Sequence, residues 1–507
     1  MSSENKLIFI LGTERTAVSF KEGETLVDVM RRHSLYAPFE CGGRGICGKC
    51  RVICPASSPV TAAEQRLLTG DEIKAGVRLA CVHILLPGEE IILPGEKAVY
   101  SANGTAAEGG AVNGGVMLAA DIGTTTVAVK LINSRGEDIA ARSFNNPQRA
   151  FGADVIGRIS AACEGRGSEM RSALTGRFAA ETACILEEAR LKESDVIKCA
   201  VACNTAMGHI LMGYDCSSLG VYPFRAQNTG TVHFEFSRVF TGSGINAPAV
   251  LLPGISAFVG GDIVAGIIAC GMSERDEISM LIDLGTNGEI ALGNKDRISV
   301  CSASAGPAFE GSSISCGTGS VEGAISRFYI AGGRSGYKTI GNSAPSGVCS
   351  SGVIDIAASL VKAGIADRTG LLQEEYRESG YPAAPGITFT QQDMRQVQSA
   401  SAAIRTAIEM ITEFHGITGE DISRIYLAGG IGAGADVSNA RFLGLIPRDS
   451  RAEIITPGNT SLAGAVEYLT QEREKEAERI RDISRELILS GNETFGRKFI
   501  ENMTFGV

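Results

Sequence analysis

From Val116 onward, apolar runs of strand length alternate with segments of helical length, as in VMLAADIGTTTVAVKLIN, IKCAVACN, SMLIDLGTNGEIALG and RIYLAGGIG. Short continuous apolar runs suit strands buried on both faces, and their alternation with helices predicts α/β architecture. The first hundred residues read differently. Two short strands flank a Gly-Thr-Glu-Arg turn within residues 5 to 19, and Thr25 to Leu35 has amphipathic helical spacing. Strand-like stretches follow at Lys49 to Ile53, Val77 to Leu86 and Glu89 to Leu93, with a short helical pattern at Thr61 to Leu68. Together these predict a small mixed sheet.

Between the two regions, Ser101 to Gly115 reads SANGTAAEGGAVNGG, which has five glycines and no large apolar residue. That is the composition of a flexible connector, spanning on the order of 20 Å as a coil. The expected organisation is a small amino-terminal domain over 1–97, a flexible linker over 98–115, and a larger domain over 116–507 divided near residue 275 into lobes of 116–275 and 276–507. Two segments of the larger domain share one form, an apolar strand ending in Asp, then Gly-Thr and a second strand: Asp121-Ile-Gly-Thr124 and Asp283-Leu-Gly-Thr286. This weak internal repeat predicts two related lobes. The charged stretch Gln471 to Leu489 reads as a solvent-facing helix.

Composition narrows the function. Charged residues are 21% and hydrophobic residues 44% of the 507, so most of the chain folds, in more than one unit. A net charge of −10 leaves no basic field for nucleic acid, and a protein or small-molecule partner is expected instead. Neither a secretion signal nor a membrane-length apolar run is found, which predicts a cytoplasmic protein. In a reducing compartment the 14 cysteines argue against a disulfide framework and for a metal or redox centre where they cluster.

They cluster once. Cys41-Gly-Gly-Arg-Gly-Ile-Cys47-Gly-Lys-Cys50 has C-x5-C-x2-C spacing, and Cys81 follows after 30 intervening residues. One loop plus one remote strand is the plant-type [2Fe–2S] arrangement with one extra residue in the first gap, and the loop glycines let the backbone fold tightly over the cluster. A zinc site would more naturally show two CxxC pairs, and only one is present. Cys54 competes with Cys81 as fourth ligand, but it falls on the strand leaving the loop, and Cys81 is preferred. A Rieske centre needs two histidine ligands, which the loop lacks, so His83 is assigned to surface packing. Cys203, Cys301, Cys316 and Cys349, spread singly among small residues, read as buried core thiols.

The repeated segments carry the second chemistry. Asp121-Ile-Gly123-Thr124-Thr125-Thr126 sets a carboxylate, a tight glycine turn and three hydroxyls at a strand end, a combination suited to a polyphosphate, with Asp121 reaching Mg²⁺ directly or through water. Asp283-Leu-Gly285-Thr286-Asn287-Gly-Glu289 repeats it, and Ile425-Tyr-Leu-Ala-Gly429-Gly430-Ile-Gly432 supplies a later glycine-rich strand end. In that order the three resemble the phosphate-1, phosphate-2 and adenosine motifs of the actin, sugar-kinase and heat-shock chaperone ATPase superfamily. The resemblance implies two lobes with ATP in the cleft between them. Asp262, in Gly260-Gly-Asp-Ile-Val-Ala-Gly, resembles the catalytic carboxylate of sugar kinases and is the candidate for orienting water; a helix N-cap is the alternative. Asn204 and the loop Ser304 to Gly311, which includes Glu310, sit at expected strand ends where they line the cleft.

A C-x5-C-x2-C ferredoxin module joined to this ATPase type resembles the reductive activators of corrinoid-dependent methyltransferases, over nearly the whole chain and including CNTAMGHILMG, PGISAFVGGDIVAG and SAGPAFEGSSISCG. The resemblance implies a β-grasp [2Fe–2S] ferredoxin domain, a flexible linker and a two-lobed actin/sugar-kinase-like ATPase. It further implies ATP-dependent return of a corrinoid protein from Co(II) to Co(I), with an electron donor such as reduced ferredoxin, flavodoxin or a reductase. The competing classes are an activator of a non-corrinoid enzyme and a ferredoxin-fused small-molecule kinase.

Overall fold

The computed structural model describes residues 5–11, 14–21, 23–32, 45–46, 48, 50–54, 59–93, 114–311, 313–430 and 434–506. Cys41, Cys47, Gly432 and most of the expected linker, through residue 113, lie outside the described residues.

The amino-terminal domain is a five-stranded sheet in the order Glu14–Phe20, Asn5–Leu11, Glu90–Ile92, Arg51–Ile53, Val77–Leu79. Asn5–Leu11 pairs in parallel with Glu90–Ile92, while the flanking hairpin is antiparallel. Alternation sets the buried face: Leu7, Phe9, Val18 and Phe20 all point inward, against Leu26, Val29 and Met30 of the helix Leu26–Arg32. The helix expected at Thr61 to Leu68 is Ala62–Leu67, opened by a capping box in which Thr61 and Glu64 satisfy each other's backbone N–H groups. The strand expected over Val77 to Leu86 ends at Leu79, because Leu79 closes a turn that accepts from the Val82 N–H at 3.0 Å.

Two six-stranded sheets follow. The first runs Val232–Glu235, Pro248–Leu251, Val196–Cys203, Val116–Ile122, Thr126–Ile132, Asp138–Asn145, and the second runs Glu453–Gly458, Arg424–Gly429, Ser279–Leu284, Gly288–Gly293, Ile298–Ala303, Ser484–Glu486. In each, three antiparallel strands lead into two parallel ones in the same spatial order. Register repeats as well. Asp121 lies opposite Ala202 on its parallel neighbour, and Asp283 lies opposite Ala428 on its own. The weak sequence repeat therefore marks a structural duplication.

One helix pair joins the halves. Gly261–Ala269 and Thr460–Thr470 cross where an added Cβ at Gly464 would stand 1.9 Å from the Ala265 carbonyl oxygen, so only glycine allows this approach. Both helices start at the cleft, which brings two positive helix N-termini to it. The stretch Gln471 to Leu489 is not one solvent-facing helix: the helix Glu474–Ile483 buries Ala477 and Ile480, and Ser484–Glu486 joins the second sheet in parallel with Ile298–Ala303. Among the described residues, no helix is long and apolar enough to cross a membrane.

Candidate cluster and nucleotide sites

Cys50 precedes the strand Arg51–Ile53 and Cys81 follows Val77–Leu79, its antiparallel partner. This pairing brings the two sulfurs to 3.2 Å, close enough to ligate one iron. The loop backbone suits a buried cluster. Gly45 and Gly48 take φ of +70° and +68°, and a Cβ at Gly45 would stand 2.9 Å from Val82. Cys54 lies elsewhere, buried in the sheet core, where burial foremost and then the Glu89 charge push its thiol up to about 12, unlike a poised metal ligand.

His83 is not a surface residue. It is 3% exposed, and its Nε2 lies 3.0 Å from each carboxylate oxygen of Glu89, which also accepts from the Leu86 N–H. Cys54, His83 and Glu89 thus form one buried polar group with ligand atoms within 4.8 Å of one another. The expectation failed because a single histidine in an alternating strand pattern carries no sign of a buried acid partner six residues on. Of the four single cysteines, Cys203, Cys301 and Cys349 are buried, while Cys316 is only half-buried.

The cleft is built from the two Asp-Gly-Thr hairpins. Thr125 and Thr286 face each other with hydroxyls 3.1 Å apart, and both donate to Glu310, at 2.8 and 3.0 Å. Asn204 caps the helix Thr205–Met212, accepting from the Met207 N–H at 2.9 Å and donating to the Thr124 hydroxyl at 3.0 Å. Thr126 opens the strand Thr126–Ile132, and its carbonyl closes the first hairpin by accepting from the Gly123 N–H. In the second hairpin the Gly285 N–H donates to the Asn287 carbonyl at 2.9 Å. Gly429 has φ of +84°, and a Cβ there would stand 2.4 Å from Asp283, so this glycine is required by packing against the strand Ser279–Leu284; the Gly430 N–H donates to the Leu284 carbonyl.

Asp262 is not the helix N-cap. Gly260 occupies that position, and Asp262 sits in the first turn, where Oδ1 accepts from the Ile263 N–H at 2.9 Å. Five carboxyls gather in this region: Asp121, Asp262, Asp283, Glu289 and Glu310. Each keeps some solvent access but is enclosed on its other sides, and enclosure raises all five pKa values. Asp262 rises to about 7, first through burial and then through the Asp121 charge, and Asp283 rises to about 7 through burial and then Asp262, Asp121 and Glu310. Asp121 is partly relieved by Asn459 Nδ2 and Ser461 Oγ, each donating at 2.8 Å from the start of the second crossing helix. Mutually repelling carboxyls beside two helix N-termini suit a divalent cation carrying a polyphosphate. Glu310, Asn459 and Ser461 were not singled out from the sequence: only the loop holding Glu310 was marked, and nothing in the spacing ties residue 459 or 461 to Asp121.

Known proteins resemble all three parts of the chain. Residues 8–86 match a 2Fe-2S iron-sulfur cluster binding domain, residues 116–275 the RACo middle region, and residues 277–506 the C-terminal, ASKHA domain of RACo. The chain is 30% identical over 458 residues to the corrinoid activation enzyme RamQ of Eubacterium limosum, covering 84% of this chain and 74% of that one. It is 29% identical over 306 residues to a [Co(II) methylated amine-specific corrinoid protein] reductase of Methanosarcina barkeri, covering 53% and 55%. A solved reductive activator for a corrinoid, iron-sulfur protein superposes with a TM-score of 0.73 at 25% identity, over 99% of this chain and 98% of that one.

Proposed function

The chain belongs to the family of reductive activators of corrinoid proteins, and we propose that it returns the corrinoid of a methyltransferase-system protein from inactive Co(II) to Co(I) in an ATP-dependent step. The observation that carries this reading is the union, in one chain, of the Cys50–Cys81 sulfur pair with two facing phosphate hairpins joined through Glu310. The one arrangement suits an electron carrier and the other a nucleotide-driven switch.

Cys41, Cys47, Cys50 and Cys81 would hold the [2Fe–2S] centre, which when bound would supply one electron at a time at about −400 mV, the value of a plant-type cluster. A cobalt couple below that potential makes the transfer run uphill unless nucleotide chemistry is coupled to it. In the cleft, Thr124, Thr125, Thr126, Thr286 and Asn287 with the Gly123 and Gly285 turns receive the phosphates, Asn204 steadies Thr124, and Gly429, Gly430 and Gly432 form the adenosine side. Asp121 has both carboxylate oxygens engaged by Asn459 and Ser461, which favours its holding Mg²⁺ through water. Asp262 orients the attacking water, and burial with the Asp121 charge beside it sets its protonation and raises its basicity above that of an ordinary carboxylate.

Each hairpin belongs to a different half, so a phosphate chain held by both draws the halves together, and the crossing helices form the pivot. The electron donor is a low-potential ferredoxin, flavodoxin or reductase, and the setting is the cytoplasm. Mixing the protein with an electron donor and a Co(II) corrinoid protein tests the reading: Co(I) absorbance is expected only when ATP is added, and its appearance without ATP would remove the nucleotide from the mechanism.

A further inference from the structure

The first phosphate hairpin is gripped from behind by two side chains that no motif contains. Asn146 and Arg158 are both 0% exposed. Asn146 donates from Nδ2 to the Gly123 carbonyl at 2.8 Å and from its backbone N–H to the Thr125 carbonyl at 2.9 Å. Arg158 donates from Nη2 to the Thr124 carbonyl between them. Three successive carbonyls are thus drawn to one inner wall. A trans peptide is planar, with its N–H directed opposite its C=O, so the Thr124 and Thr125 amides are turned away from that wall. At the same turn the Thr125 side chain meets Thr286 and Glu310 on the cleft side.

Arg158 has a second property. Its Nε donates to the Gly152 carbonyl and its Nη1 to the Met207 sulfur, both at 3.0 Å, so its acceptors among the described residues are all neutral. Burial, reinforced by the neighbouring Arg149, pushes its pKa down to about 9, while Asp154 and Glu310 act only from a distance in the opposite sense. A buried cation whose contacts are all neutral is costly, and an anion brought close to it relieves the cost. The anion that the outward amides would receive lies one peptide layer from the guanidinium.

We propose that Arg158, with Asn146, is the positioning residue of the phosphate site: it fixes the Asp121–Thr126 hairpin with two amides facing the cleft and supplies the buried charge against which a polyphosphate, rather than a nucleoside, is bound. This rests on the nucleotide-cleft reading above. Calorimetric titration of the full chain with Mg-ATP and, separately, with adenosine separates the two claims. Failure of the wild-type protein to bind Mg-ATP would remove the cleft reading itself.

Given wild-type binding, Arg158→Met, which keeps the aliphatic stem, is expected to weaken Mg-ATP by about 100-fold and adenosine by less than about 3-fold, the size expected for losing hydrogen bonds from a charged donor. Arg158→Lys, which keeps the charge, is expected to lose only about 10-fold. A folded Arg158→Met that binds Mg-ATP like the wild type, or that loses ATP and adenosine in equal proportion, overturns the proposal. Should that variant not fold, hydrogen exchange in the wild-type protein decides. Mg-ATP is expected to slow the Thr124 and Thr125 amides by about tenfold or more while adenosine leaves them unchanged, and equal insensitivity to both ligands would overturn it.

Discussion

Thr125 and Thr286, 161 residues apart in the chain, stand with their hydroxyls 3.1 Å apart and donate to the same oxygen of Glu310. Two hairpins from duplicated halves therefore meet through one carboxylate. Removing it in Glu310→Ala should uncouple the hairpins and lower the kcat of ATP hydrolysis by about 10- to 100-fold, with KM changing less. Glu310→Gln keeps an acceptor for both hydroxyls and should lose less. Steady-state ATPase assays with the corrinoid partner present check this ordering, and an unchanged kcat in Glu310→Ala would reduce the bridge to packing.

Asp262 and Asp121 should fail in different ways. A group that orients water acts in the transition state, so Asp262→Asn is expected to cut turnover about 100-fold while leaving nucleotide affinity nearly unchanged. Asp121→Asn should weaken Mg-ATP binding itself. With Gly260 as the helix cap, a large loss in Asp262→Asn could not be ascribed to lost capping. Nucleotide binding and single-turnover rates measured on both variants separate the roles, and full Co(I) formation by Asp262→Asn would make Asp262 structural.

The raised carboxyl of Asp262 also fixes a pH dependence. Its folded pKa of about 7 lies above the unfolded value of about 3.9, so the native state binds more protons between those values and loses stability as pH rises through that window. Asparagine mimics the protonated acid. In the absence of nucleotide and divalent metal, Asp262→Asn should therefore match the wild-type Tm near pH 4 and exceed it by about 2 °C or more near pH 8. A Tm difference that does not change with pH would contradict the electrostatic account of the cleft.

Iron content tests the cluster ligands. The wild-type protein should carry about two irons and two labile sulfides per chain, Cys81→Ala none, and Cys54→Ala the wild-type amount. The geometry behind this is the 3.2 Å approach of Cys50 and Cys81, against the core position of Cys54 beside His83 and Glu89. Normal iron in Cys81→Ala would reverse the assignment.

The sequence was most legible where chemistry and local structure share one short segment. Asp121 and Asp283 announce themselves because strand, carboxylate and turn are contiguous, and their equivalent registers opposite Ala202 and Ala428 show that the faint repeat was real. Asn146, Arg158, Asn459 and Ser461 were illegible for the opposite reason. Each reaches the first hairpin or its Asp121 from another element through tertiary folding, and an isolated Asn, Arg or Ser carries no periodic signal. His83 shows the same limit, since its burial depends on Glu89 across a turn. The segment Ser484–Glu486 was hidden by its length: three residues at the end of a charged helical pattern do not establish a strand until Ile298–Ala303 pairs with them.

The central claim is that nucleotide chemistry in the cleft drives an electron from the cysteine-held cluster to a partner's cobalt. The most direct measurement follows Co(I) absorbance and phosphate release together, in a mixture of the full chain, a low-potential reductant, Mg-ATP and purified Co(II) corrinoid proteins of methyltransferase systems. Co(I) should appear only with ATP, and ATP hydrolysis should accelerate only with a Co(II) corrinoid protein that is being reduced. ATP hydrolysis at one rate with and without every corrinoid protein, with cobalt remaining as Co(II) throughout, would contradict it.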